Sequence, residues 1–179
     1  GGSEGTIAKL SRSLSDYFDI HIATFFSEQD YTTTYTYNGT LHPLNETKEQ
    51  GGLRKIRRRV NHVNRIVDDF NIIAKISFLQ NADLINALTA RKNIATIVGI
   101  RTSVSILLAS YKSRLLYKYI FRRCDNVVVQ NRENMDLINS VYGTDRKDKI
   151  SIIPNAFDCN EIIECSSEPI EIARDLNDV

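Results

Sequence analysis

The chain lacks most of the features from which a function is read directly. Its three cysteines, Cys124, Cys159 and Cys165, are an odd number with no Cys-x-x-Cys pair. No disulfide framework is expected, and a reducing compartment is. No run reaches the ~18 apolar residues of a membrane-spanning helix, and no secretory leader is visible. Gly-x-Gly-x-x-Gly, Walker and Gly-x-Ser-x-Gly motifs are missing. The three histidines, His21, His42 and His62, are scattered without ligand spacing, so no metal is expected. Charge of one sign is also scarce. Lys and Arg number 23 against 22 Asp and Glu, a net charge of +1, which excludes a globally basic nucleic-acid binder.

What is present is ordinary globular material. With 179 residues, 42% of them hydrophobic and 25% charged, the chain can bury one real core. Residues 3–17 read as a helix on the stripe Ile7, Leu10 and Leu14. Strands are expected at 19–26, 72–79, 93–100, 126–130 and 149–154, all rich in Val and Ile. Helices are expected at 52–70, 81–90, 104–123 and 132–142, the last ending at Gly143. The Thr/Tyr-rich stretch 27–50 carries Asn38-Gly39, suited to a small hairpin or an irregular loop. Short apolar strands alternating with helices predict an α/β fold, a Rossmann-like parallel sheet with helices on both faces. The domain is expected over 1–160, with an acidic tail at 161–179. A strand before Gly1 is expected to be missing, because in a doubly wound sheet the ligand loop follows the first, central strand.

Three features carry candidate chemistry. The opening "GGSE" brings Gly1, Gly2 and Glu4 to a helix start, where a backbone can approach a phosphate; a simple turn is the plainer reading. Arg54, Lys55, Arg57, Arg58, Arg59 and Arg65 lie opposite the stripe Leu53, Ile56, Val60 and Val63. That face suits an anionic membrane or a phosphate, and a solvated surface is the commoner case. The carboxyl ends of four strands offer Gln80 and Asn81, Arg101, Gln130 and Asn155, where open α/β sheets bind ligands. Helix capping by Asn81, Thr102, Ser103 and Asn131 is the alternative. Asp68, Asp69 and Asp83 read as helix-surface charges.

Taken in order, five segments resemble the N-terminal domain of GT-B fold glycosyltransferases of group 1 (family 4, retaining). They are "GGSEGTIAKLSRSLSDYFDIHIATF", the basic helix with the strand and helix after it, "IATIVGIRTS", "CDNVVVQNRENMDLINSVYG" and "ISIIPNAFD". The last is similar to the family's Ile-Pro-Asn-Gly-h-Asp exit (h, hydrophobic), with Ala156 in place of glycine. Gly99-Ile100 stands where a serine-glutamate pair is common. The resemblance implies transfer of a sugar from a nucleotide sugar to a hydroxyl acceptor with retention, by a hexosyltransferase-type enzyme of polysaccharide biosynthesis. This chain would be the acceptor-side half, with Gly1, Gly2, Glu4, Gln80, Asn81, Arg101, Gln130 and Asn155 lining the cleft. The acceptor implied is a glycan or polyprenyl-linked saccharide, and no cofactor or nucleic acid is implied. Glu161 and Glu168 are seven apart, not the eight of the family's Glu-x7-Glu donor element, so the donor-binding domain is expected beyond the tail. A cytoplasmic location, peripheral on the inner membrane face, fits the basic helix. The alternatives are a non-catalytic α/β module binding a membrane or partner through that helix, and a GT-B sugar-nucleotide epimerase fragment.

Overall fold

The computed structural model describes residues 2–25, 36–46, 52–143 and 149–155, with positions 163 and 166. Expectations for Gly1, the 156–158 corner and most of the acidic tail lie outside them. The elements are α1 (Gly2–Leu14), β1 (His21–Thr24), β2 (Thr40–Pro43), α2 (Gly52–Asp69), β3 (Ala74–Phe78), α3 (Gln80–Leu88), β4 (Ala95–Gly99), α4 (Val104–Leu107), α5 (Tyr111–Arg123), β5 (Asn126–Val129), α6 (Arg132–Tyr142) and β6 (Ile150–Ile152). The expected parallel α/β architecture is present, in two sheets: β1–β2, and β3–β4–β5–β6 in that order. Every pairing is parallel, with Val98 opposite Val127 and Val128 opposite Ser151. Among the described residues no strand joins β1 to β3. On β3, Ile76 is 47% exposed.

The core lies around the four-stranded sheet. Val98, Val127 and Val129 from the strands pack with Ala87 of α3, Tyr117, Ile120 and Phe121 of α5, and Ile138 of α6. Each large apolar side chain buried there contributes roughly 1.5–3 kcal/mol. The spacing of apolar residues along α5 and α6 places them on the sheet-facing side.

One local expectation is corrected. Residues 104–123 do not form one helix. Ser110 is extended and its hydroxyl accepts from the Ser113 amide at 3.1 Å, starting α5 afresh after the short α4. A serine N-cap outweighs the continuous apolar pattern there. After Asn38-Gly39, where a small hairpin or an irregular loop was expected, the chain forms β2, which runs parallel to β1, His21 opposite Thr40. At the far end, Gly143 has φ +85° and stops α6 as expected.

The chain after β2 is pinned to the end of β1, where the Glu46 amide donates to the Phe25 carbonyl at 2.9 Å. Glu46 in turn receives a two-pronged bond from Arg59 of α2, at 2.7 and 2.6 Å. The Arg59 guanidinium lies 3.9 Å from the centre of the Phe25 ring. Lys55 adds a contact of 3.4 Å to the same carboxylate. The Glu46 and Arg59 side chains are 1% and 8% exposed. Burial alone would raise the Glu46 pKa, but the bonds and charges of Arg59 and Lys55 bring it below the ordinary carboxylate value. Removing one partner of a buried pair strands the other charge. Glu46→Ala is therefore expected to cost ~3–5 kcal/mol, lowering the unfolding midpoint by roughly 6–20 °C. Glu46→Leu with Arg59→Met should recover most of that loss in thermal unfolding.

Candidate functional site

The carboxyl ends of the strands bring distant segments together. Arg101 follows β4 and is half-buried; its Nη2 donates to Thr6 Oγ1 on α1 at 3.0 Å, across 95 residues of sequence. Burial works against its charge and draws its pKa down from the usual guanidinium value. Gln130, just after β5, donates from Nε2 to the Arg101 carbonyl at 3.3 Å. The N-terminal turn of α1 carries Gly2 and the half-buried Glu4. Four expected site residues are thus brought near one another: Arg101 and Gln130 are bonded to each other, and through Thr6 they meet the helix that bears Gly2 and Glu4. An α1 N-terminus beside a fixed guanidinium is a setting for an anionic or hydroxyl-rich ligand.

The other expected residues are placed differently. Gln80 is turned to α5, donating from Nε2 to Ser113 Oγ at 3.2 Å. Asn81 is exposed inside the first turn of α3 and does not cap it. The cap position belongs to Leu79, which has φ +81° and is 55% exposed. A branched residue in that region is strained by ~1–3 kcal/mol. Asn155 is exposed beyond β6, and no hydrogen bond brings it to Arg101 or Gln130. Among the four capping candidates, Asn131 does cap, its Oδ1 accepting from the Asn134 amide at 2.9 Å. Ser103 starts α4 without a side-chain cap and bonds Ser105 Oγ at 2.7 Å instead. Gly99 has a physical reason here, since a Cβ would sit 2.4 Å from the Phe78 ring.

Asp83 corrects the surface reading. It is 1% exposed, beneath the end of β3. Ser77 Oγ donates to it at 2.7 Å and Tyr117 Oη at 3.1 Å, while Asn86 donates to Ser77 Oγ at 3.0 Å. Burial pushes its carboxyl up to about 7, against the opposing pull of the Ser77 and Tyr117 bonds. The same burial, with the Asp83 charge, raises the Tyr117 phenol. The histidines were also misread as scattered. His21 Nδ1 lies 2.9 Å from His42 Nε2, His62 Nε2 donates to the His42 carbonyl at 2.9 Å, and the Phe70 ring packs at a tilt against both His21 and His42. His21 Nε2 faces Asp19 at 3.2 Å. No group of described residues has the arrangement of a metal site.

The basic helix divides into two sets. Arg59 and Lys55 turn to Glu46 and leave the proposed surface patch. Arg59 was expected at the surface and is 7% exposed; the acid that draws it in lies in another segment and is not visible along the helix. Arg54, Arg57, Arg58 and Arg65 remain outward, and the Arg58 Nη2 donates to the Leu44 carbonyl at 3.2 Å. Leu53, expected in the apolar stripe, is 84% exposed, while Ile66 and Val67 are the buried apolar residues of α2.

Parallel strands covered by helices, with polar groups gathered at their carboxyl ends, define a Rossmann-like half of the GT-B type. The chain belongs to Glycosyltransferase Family 4, whose family model matches residues 1–161. It is similar to an uncharacterized glycosyltransferase, MJ1059, of Methanocaldococcus jannaschii, with 35% identity over 57 residues. That stretch is 32% of this chain and 14% of the relative's length. No described helix is long and apolar enough to cross a membrane.

Asp83 supplies a pH test. Its folded pKa of about 7 lies above the unfolded value near 3.9, so the native state holds the extra proton between roughly pH 4 and 7. Its contribution to stability falls as pH rises through that window and is level above it. The Asp83→Asn variant should therefore gain on the parent by on the order of 1–3 kcal/mol between pH 4.5 and 8. Urea unfolding at those two pH values measures the difference; a constant offset would place Asp83 in an ordinary carboxylate environment.

Proposed function

We propose that the chain forms the acceptor side of a retaining glycosyltransferase that moves a hexose from a nucleotide sugar to a hydroxyl group. The acceptor we favour is a lipid-linked or surface saccharide, as in polysaccharide biosynthesis. The observation that carries this reading is the bond from Arg101 to Thr6, with Gln130 behind it. It holds the α1 N-terminus against the carboxyl ends of β4 and β5, where ligands of open α/β sheets bind. There, backbone N–H groups and the Arg101 guanidinium would stabilise negative charge developing on the departing diphosphate. Gly2 would let that backbone approach closely. Glu4 would meet hydroxyls along the same rim. The donor sugar would be held by a second domain, and no metal or cofactor is called for. The outward arginines of α2 favour work at an anionic membrane face on the cytoplasmic side, without insertion.

Retention is read from the anomeric configuration of the product by NMR, using the full-length protein, a nucleotide sugar and a saccharide acceptor. Arg101→Ala should lower kcat/KM for transfer by about 10- to 100-fold, because it loosens the wall that positions the reactants. Thr6→Val, which removes the acceptor of the Arg101 bond, should move the same way and less far. An inverted product, or an Arg101→Ala enzyme with unchanged transfer, would contradict the reading.

A further inference from the structure

Three histidines meet where β1 and β2 pair with each other. His21 opens β1, His42 lies on β2 and His62 on α2. His21 Nδ1 is 2.9 Å from His42 Nε2, and the His21 side chain is 5% exposed. We propose that the His21–His42 pair is a proton-sensitive clasp, which joins β2 to β1 while it carries at most one added proton and releases them when it takes a second. The clasp stands apart from the Arg101 site, and its test needs no sugar transfer.

The proton positions follow from the partners. Asp19 lies 3.2 Å from His21 Nε2, and a carboxylate only accepts, so that nitrogen carries a hydrogen. In the neutral ring Nδ1 is then an acceptor, and His42 Nε2 donates to it. One added proton fits this chain of bonds. Taken up at His42 Nδ1, it lets the shared hydrogen cross to His21 Nδ1, and the positive charge comes to rest beside Asp19. A second added proton sets two N–H groups and two like charges face to face across 2.9 Å. No placement of hydrogens keeps that contact.

The surroundings resist the second proton. The Phe70 ring packs against both imidazoles, with centroids 4.3 Å from His21 and 5.0 Å from His42. Among the described residues, Asp19 faces the pair from the turn before β1 and His62 from α2. Arg58 and Arg65 flank His62 on the same helix at i−4 and i+3. Asp69 precedes Phe70 and is exposed. The first helix meets this part of the chain through Ser11 and Ser15, both bonded to Asn38. Asp19 is the one acid bonded to the pair and is itself 84% exposed, so it settles one positive charge and not two. Burial draws the His42 pKa below its ordinary value, and the charges of His21 and then His62 draw it further. A histidine held low in the folded state takes up its proton on release. The clasp is therefore at full strength above about pH 6.5 and weakens as pH falls below it.

Release would reach beyond the two strands. Just after His42 the Leu44 amide donates to the Thr24 carbonyl and the Glu46 amide to the Phe25 carbonyl, both at 2.9 Å. Glu46 then holds Arg59 of α2. A β2 that leaves β1 loosens that anchor, so proton uptake at the clasp acts on the seat of α2.

The test is hydrogen exchange of the full-length protein at roughly pH 7.5 and pH 5, corrected for the intrinsic rates. Protection of the Thr40 and Leu44 amides, which bond Ile20 and Thr24 of the first sheet, should fall roughly 10- to 30-fold at the lower pH. Protection of the Ile100 and Ile153 amides, bonded to Val128 and Val129 of the four-stranded sheet, should hold. His42→Gln keeps a donor for His21 Nδ1 and takes no proton, so it should abolish the selective fall. His62→Gln should leave most of it. Equal loss in both sheets, no loss, or a fall that survives in His42→Gln would overturn the proposal. Imidazole nitrogen shifts of the unaltered protein decide the matter even where a variant does not fold. His42 should become doubly protonated over the range in which protection falls, and a His42 still neutral there would contradict the clasp.

Discussion

Much of this molecule depends on one buried ion pair. Glu46 leaves β2 with its amide tied to Phe25, and its carboxylate then holds Arg59 by two bonds of 2.7 and 2.6 Å. A guanidinium fork against a carboxylate admits few orientations, and the Phe25 ring closes its other face. The pair thereby sets the rotation of α2 about its axis. One arginine of the cluster goes in, so that Arg54, Arg57, Arg58 and Arg65 point out along one side. Without that constraint, mutual repulsion would favour spreading the guanidiniums apart.

A second long-range bond does comparable work at the four-stranded sheet. Arg101 reaches Thr6 and Gln130 reaches the Arg101 carbonyl, so the first helix is fixed over strand ends that come 95 residues later. The polar network of Ser77, Asp83, Asn86 and Tyr117 lies beneath. It joins β3, α3 and α5 and supports the rim on which the strained Leu79 stands. Buried groups satisfied by one another make a rigid base beneath the strand ends.

Legibility in the sequence followed the range of the interactions. The parallel α/β architecture was readable because continuous Val/Ile runs such as "NVVV" and helix stripes are local patterns. So was the stop at Gly143, where a positive φ calls for glycine. The break at Ser110 was hidden because Ile106, Leu107, Leu116 and Ile120 sustain a helical pattern across it. β2 could not be told from a hairpin arm, since Asn-Gly signals a turn but not the direction of the strand that follows. The candidate site was expected from residue types and only partly from geometry. Arg101 and Gln130 were expected at strand ends and are bonded to each other there; Gln80 was not seen to turn to α5. The basic helix was plain, but Arg59 and Lys55 could not be separated from the other four, because Glu46 approaches from another segment. The three histidines were unlinked for the same reason: parallel pairing of β1 with β2 is what sets His21 beside His42.

The central claim is that the buried Glu46–Arg59 pair fixes α2 against the end of β1. A double-mutant cycle of Glu46→Gln and Arg59→Met, read by urea unfolding, tests it most directly. The account predicts a coupling of about 1–3 kcal/mol between the two residues. Additive effects of the two single changes would contradict it.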